Sequence, residues 1–272
     1  MASSPTQAAM TVPKIRARKG GTPLVCLTAY TTPEARAIDA SCDIVLVGDT
    51  LGVVAHGLPN TVGVTVEDMI VHGKAVARGL SHALLVVDLP FGSYESSPQQ
   101  AFETAARIMR ETGCSAVKLE GGVSMAETIA FLTARSIPVM GHIGVRPQNV
   151  NVTGGYKTVG REESQWAAAV DEAVKAAAAG AFALVLEGVA EPLAAKITES
   201  VPIPTIGIGA SAACDGQILV LYDVLGLTTS PPRFAKRYAD VGAMIRSAAE
   251  AYAAEVTARR FPGPEHTYAK KP

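Results

Sequence analysis

Two kinds of apolar pattern alternate along this chain. Short, nearly continuous runs such as DIVLVGD (43–49), LLVVDLP (84–90) and ALVLEG (183–188) are broken by longer stretches in which apolar residues recur every three or four positions. The first kind reads as strands buried on both faces, the second as amphipathic helices. Strands are expected over Pro23–Tyr30, Asp43–Asp49, Leu84–Pro90, Ala116–Gly121, Val139–Gly144, Ala183–Gly188, Pro204–Ala210 and Ile218–Tyr222. Helices are expected over Pro33–Ser41, Val66–Gly79, Pro98–Thr112, Met125–Arg135, Glu162–Ala179 and Glu191–Glu199, and a long final one runs roughly from Tyr238 to Arg260. Eight such strands joined through helices must pair in parallel by right-handed crossovers. The expected class is therefore α/β, a single (β/α)8 TIM barrel, which takes about 250 residues. An open doubly wound sheet is the alternative, weakened because no GxGxxG follows the first strand.

The whole chain, 1–272, is expected to form one domain, with residues 1–11 a flexible N-terminal arm and 262–272 a C-terminal tail. The basic stretch Lys14–Lys19 reads as part of a solvated arm. Two segments escape the alternation: Leu51–Val64 after the second strand, and Val145–Gly160 (VRPQNVNVTGGYKTVG) after the fifth. Both follow strand C-termini, where barrels carry function.

Composition narrows the classes. Apolar residues make up 48% of the chain and the formal net charge is −1, so nothing points to nucleic acid. Apolar runs are too short for a membrane span, and MASSPTQAAM lacks the apolar stretch of a signal peptide. Cys26, Cys42, Cys114 and Cys214 are widely spaced with no CxxC pair, which points to a reduced, cytoplasmic setting.

The chemistry gathers where the strands end. The second closes with Asp49, the third with Asp88, the fourth with Glu120, the fifth with His142 and the sixth with Glu187. In a barrel these ends surround one mouth. Strand parity adds Lys118, two positions before Glu120 and so on the same face. A lysine inside a barrel needs a partner. A strand-end carboxylate taken singly can simply face solvent or cap a helix; five polar ends in succession cannot all be dismissed that way. Three converging carboxylates with one lysine imply a bound cation, and oxygen ligands imply a hard one. His142 can be a ligand, a hydrogen-bond donor or an acid. Gly207–Ala210 (GIGA) suits either a phosphate-holding loop or tight packing, Ser93–Tyr94–Glu95 is a weak pocket candidate, and His56, His72 and His82 belong to the surface or to supporting positions. No nucleophile-elbow pattern is present.

At these positions the chain resembles the ketopantoate hydroxymethyltransferase family. The resemblance rests on LTAY (27–30), VGDTLG (47–52), DLPFGSYE (88–95), VKLEGG (117–122), GHIGVRPQ (141–148), GGYKTVGR (154–161), LVLEGV (184–189), IPTIGIGA (203–210) and CDGQILV (214–220). FAKRYADVG (234–242) and FPGPEHTY (261–268) carry it to the C-terminal region. It implies a TIM barrel, Mg2+, and transfer of a one-carbon unit from 5,10-methylenetetrahydrofolate to 3-methyl-2-oxobutanoate. It further implies Asp49 and Asp88 as metal ligands, with Glu120 a metal-site carboxylate acting through water. Asp49, Thr50, Asp88 and Lys118 would contact the 2-oxo acid, His142 would lie near it, and Glu187 would be the general base. A homo-oligomer, a decamer, is also implied. Thr50 stands where the family usually has Ser, Thr31 where it commonly has Asp, and Arg146 where it usually has Thr. Two rival readings stay open: a Mg2+-dependent lyase or mutase acting on 2-oxo acids without folate, and a non-catalytic barrel.

Overall fold

The computed structural model describes residues 8–269. Eight parallel strands close into a barrel in chain order: β1 Leu24–Thr28, β2 Ile44–Val47, β3 Leu84–Asp88, β4 Ala116–Glu120, β5 Val139–Gly144, β6 Ala183–Glu187, β7 Thr205–Ile208 and β8 Gly216–Leu219, with β8 paired back to β1. The helices are α1 Val12–Arg16, α2 Thr32–Ile38, α3 Leu51–Val54, α4 Val66–Ala77, α5 Pro98–Thr112, α6 Ala126–Thr133, α7 Val150–Thr153, α8 Trp166–Ala178, α9 Glu191–Ser200, α10 Leu221–Val224 and α11 Val241–Thr257. The closed (β/α)8 barrel expected from the alternation is present, and the open sheet is excluded.

Local sequence accounts for most of these elements. Ser97 caps α5 by accepting from the Gln100 amide, Pro98 opens the helix, and Gly113 ends it at φ 75°. Ala101, Ala105 and Ile108 of α5 are buried, the i, i+4, i+7 stripe of a helix lying on a sheet. Thr31 and Glu34 form a capping box on α2, as Thr65 and Asp68 do on α4. Aspartate caps helices as well as threonine does, so Thr31 keeps the job open to the family's usual Asp.

The structure departs from the expected pattern in the β7–β8 connection and in the N-terminal region. The β7–β8 connection, residues 209–215, carries no helix, and β8 starts two residues earlier than expected. Seven extended residues reach roughly 23 Å, enough to return along a four-residue strand without a helix. Gly207 lies within β7, where a Cβ would press on Gln217 and Cys214 at 3.0–3.1 Å. Tight packing therefore explains the GIGA glycine.

The second departure concerns the N-terminal region. Residues 1–7 of the expected arm lie outside the described residues, but residues 8–11 are docked: the Met10 amide donates to His82 O at 2.7 Å, and Thr11 caps α1. The basic stretch is not a solvated arm either. Ile15 is fully buried in the barrel core with Leu24, Ile44 and Leu84, while Lys19 pairs with Asp215 at 2.9 Å. Charges on either side of Ile15 hid an apolar anchor.

The chain divides into two compact units, Met1–Leu221 and Tyr222–Pro272. The first holds the barrel. The second contains α11, which buries none of its residues; the helix starts at Val241, three positions later than expected, with Asp240 as its cap. Among the described residues no helix is long and apolar enough to cross a membrane, and all four cysteines are free and buried.

Inside the barrel, parity sorts the strand residues. Leu24 and Cys26, Ile44 and Leu46, Leu84 and Val86, Ala183 and Val185, and Ile206 and Ile208 form one apolar core. Continuing the same inward positions toward the strand C-termini reaches Thr28, Asp88, Lys118, Glu120, His142 and Glu187. The apolar layers below thus give way to a polar top.

Candidate active site

Asp49, Thr50, Asp88, Lys118, Glu120, His142 and Glu187 all line one cavity at the C-terminal end of the barrel, together with Thr28 and Pro147. The strand register brings them together. Asp88 is level with Lys118, Glu120 with His142, and Gly144 with Glu187. Gly144 has φ 94°, and a Cβ there would overlap the Glu187 carbonyl oxygen, so only glycine lets β5 approach the C-terminal end of β6 this closely.

The Lys118 ammonium donates to Asp88 Oδ1 at 2.6 Å, and these side chains are 6% and 2% exposed. The Asp49 amide donates to Asp88 Oδ2 at 3.0 Å, so both Asp88 oxygens are engaged. Asp49 lies just beyond the end of β2, in the turn leading to α3. Burial first, and the Asp88 carboxylate next, push the Asp49 carboxyl from 3.8 to about 7, against the pull of Lys118 and Gln148. Burial also carries Glu120 well above the ordinary carboxylate range, with Lys118 opposing and Asp49 and Asp88 adding. For Lys118 burial disfavours the charge, yet Asp88, Asp49 and Glu120 outweigh it and hold the ammonium above its usual range.

His142 sits between two acids, with Nδ1 3.6 Å from Glu120 Oε1 and Nε2 3.4 Å from Glu187 Oε2. Burial lowers its pKa, so the ring is neutral near pH 7 with one N–H to offer. Among the described residues, neither ring nitrogen, nor Glu120 Oε1, has a hydrogen-bond partner. Glu187 is the more open acid, its side chain 21% exposed.

Two residues tie the site together: Gln148, which had not been singled out in the sequence, and Tyr94, of the Ser93–Tyr94–Glu95 candidate. Gln148 donates through Nε2 to Asp49 Oδ2 at 2.8 Å and to Leu89 O at 3.0 Å, while its amide N–H reaches Glu120 Oε2 at 3.2 Å. The Tyr94 hydroxyl donates to Gln148 Oε1 at 2.6 Å and accepts from the Glu120 amide at 3.2 Å. Ser93 is buried and Glu95 folds back on the Gly92 and Tyr94 amides, so Tyr94 alone of its triplet enters the network. The one signal for Gln148 was its place in the long loop after β5; a residue in an irregular turn carries no periodicity to mark it. Arg146 of the same loop lies 3.9 Å from Glu172 of α8. His56 and His72 face each other, Nε2 to Nε2 at 3.0 Å, and His82 is buried against Ala8 O; none of the three lines the cavity.

The residues fit a hard divalent cation. Among the described residues no three His, Cys, Asp or Glu side chains form a ready-made metal cage. Mg2+ does not need one: it is held by one or two carboxylates, water and substrate oxygens. The unpaired, buried Glu120 Oε1 and the destabilised Asp49 carboxyl are what such an ion would satisfy.

Fold and site together define a parallel-barrel enzyme with an acid, lysine and histidine constellation at the strand C-termini. Solved barrels of like topology include 2,3-dimethylmalate lyase, of the PEP mutase/isocitrate lyase superfamily (TM-score 0.59, 17% identity, 97% of this chain and 92% of that one), and a phosphonopyruvate hydrolase complex with oxalate and Mg2+ (TM-score 0.59, 14% identity, 94% and 93%). At these identities the likeness shows the fold. The ketopantoate hydroxymethyltransferase family model matches residues 9–264, and the chain belongs to that family. It is 62% identical to the 3-methyl-2-oxobutanoate hydroxymethyltransferase of Paracoccus denitrificans (93% of this chain, 92% of that protein). It is 60% identical to that of Parvibaculum lavamentivorans (96% of each) and 58% to that of Caulobacter vibrioides (97% and 96%). It is thus a transferase enzyme, and the non-catalytic reading falls.

Proposed function

We propose that the enzyme transfers a hydroxymethyl group from 5,10-methylenetetrahydrofolate to 3-methyl-2-oxobutanoate, giving 2-dehydropantoate and tetrahydrofolate in pantothenate synthesis. The observation that carries this reading is the opposition, in one cavity, of an open carboxylate, Glu187, and a buried ammonium, Lys118, with the family and its relatives' names behind it. Glu187 takes the C3 proton of the 2-oxo acid. The electrons of that C–H bond move into the C2–C3 bond, and the carbonyl oxygen takes up negative charge beside Lys118. Water hydrolyses the methylene bridge of the folate: both C–N bonds break, the two nitrogens take up the hydrogens of the water, and the carbon leaves as formaldehyde. C3 then attacks that carbon, whose oxygen takes the proton held by Glu187 and becomes the hydroxyl. Thr50 and the Asp88–Lys118 pair orient the 2-oxo acid, and neutral His142 lies near it in the same cavity.

Mg2+ is the cation proposed, with Asp49 and Asp88 as its protein ligands and Glu120 acting through water; when bound it polarises the 2-oxo acid carbonyl. A homo-oligomer, a decamer by family resemblance, is supported by Met244, Ile245, Tyr252 and Val256 lying exposed on α11 and by Val25 on the outer face of β1, 49% exposed. Four free, buried cysteines accord with a cytoplasmic setting.

Proton abstraction can be seen without the folate. In deuterated water with Mg2+ and 3-methyl-2-oxobutanoate, the C3 proton signal should fade and the methyl doublet collapse. Glu187→Gln keeps the size and removes the basicity, so exchange should cease while metal and 2-oxo acid still bind. Exchange at the wild-type rate in that variant would remove Glu187 from the role. A lyase would instead fragment longer 2-oxo acids and need no folate.

A further inference from the structure

Gln148 belongs to the turn Pro147–Asn149 that opens the long loop after β5, and its side chain is a closed node. Leu89 O can only accept, so the group facing it must be Nε2, and that settles which way the amide lies. The two Nε2 hydrogens then go to Leu89 O and Asp49 Oδ2, and Oε1 receives the Tyr94 hydroxyl. Reversed, Oε1 would confront two acceptors. With its backbone N–H on Glu120 Oε2, this one residue ties back a single oxygen on each of two carboxylates, from the ends of β2 and β4. Glu120 Oε1 is left without a partner.

A carboxylate with one oxygen held by a hydrogen bond is fixed in orientation, which turns its other oxygen to a cation and disfavours chelation through both. That matters for which cation fits. Ca2+ accepts bidentate carboxylates in flexible, six- to eight-fold shells, whereas Mg2+ demands near-octahedral single-oxygen ligands at about 2.0–2.1 Å. We propose that Gln148 is a positioning residue that fixes Asp49 as a single-oxygen donor, and Glu120 as a single-oxygen acceptor for a cation-bound water, and so sets the preference of the site for Mg2+ over Ca2+. This rests on the hard-cation reading of the site given above. It also places a residue of the 145–160 loop on the cation site, so ordering of that loop and cation binding reinforce each other.

The experiment is metal binding by the folded protein, read by Mn2+ paramagnetic resonance with Mg2+ and Ca2+ as displacing ions, for wild type, Gln148→Ala and Tyr94→Phe. Outer-shell partners of metal ligands are worth about 10- to 100-fold in affinity, so Gln148→Ala should weaken Mn2+ and Mg2+ binding by that range. Ca2+, which gains the freed oxygens, should change by less than about threefold. Tyr94→Phe removes the donor to Oε1 but keeps the packing, and should shift the Mg2+/Ca2+ ratio in the same direction to a smaller degree. It serves as the test if Gln148→Ala does not fold. Equal loss of Mg2+ and Ca2+ affinity would mean general loosening and overturn the proposal, as would affinities unchanged from wild type. A wild type that binds no Mn2+ at all would overturn the cation reading itself and this proposal with it.

Discussion

Asp49 is held in a place where its charge is costly, and removing that charge should stabilise the fold while destroying the site. Burial and Asp88 lift its carboxyl from 3.8 to about 7. For a raised carboxyl the folded state binds the proton more tightly than the unfolded state, so stability falls as pH rises from the unfolded to the folded value and is level above it. Three pH units at ~1.36 kcal/mol each make the full cost about 4 kcal/mol, of which roughly 2–3 kcal/mol develops between about pH 5 and pH 8. Asp49→Asn keeps an oxygen for Gln148 and carries no charge. Urea unfolding in a chelator should find the variant more stable than wild type at about pH 8, by an amount that shrinks by roughly 2–3 kcal/mol at about pH 5. Adding Mg2+ should stabilise wild type and leave the variant unmoved. A variant no more stable than wild type at the higher pH, or a difference that does not change with pH, would refute the electrostatic account of Asp49.

Lys118→Met removes the ammonium that Asp88 Oδ1 depends on at 2.6 Å, and should cost about 3–5 kcal/mol near neutral pH and abolish C3 exchange. In combination with Asp49→Asn the loss should be smaller than the sum, since the two changes act on one cluster, and a thermodynamic cycle would show it. Thr31→Ala should lower stability by about 1 kcal/mol through loss of the α2 cap, with turnover intact, and Thr31→Asp should restore it. Urea midpoints beside a turnover assay would check both.

What could be read in the chain itself was whatever repeats at short range. Continuous apolar runs such as LLVVDLP and ALVLEG announced buried parallel strands, and the alternating inward face carried Asp88, Lys118, Glu120, His142 and Glu187 to one end because side-chain direction on a strand has a period of two. Helix positions followed from apolar residues recurring every three or four places, while the caps at Ser97 and Thr31 emerged with the structure. Closure of the barrel decided the rest. Gln148 and Asp49 are 99 positions apart and meet only when β2 and β5 share a rim; nothing local to either foretells the contact. Ile15 reads as one apolar residue among charges until the barrel floor it fills exists. The return from β7 to β8 carries no helix, and Gly207 packs there against Cys214 and Gln217, contacts that no local pattern foretells. The Asp49 carboxyl rises to about 7 for the same reason: the order of residues puts it at a strand end, but only the assembled walls exclude water and hold Asp88 beside it.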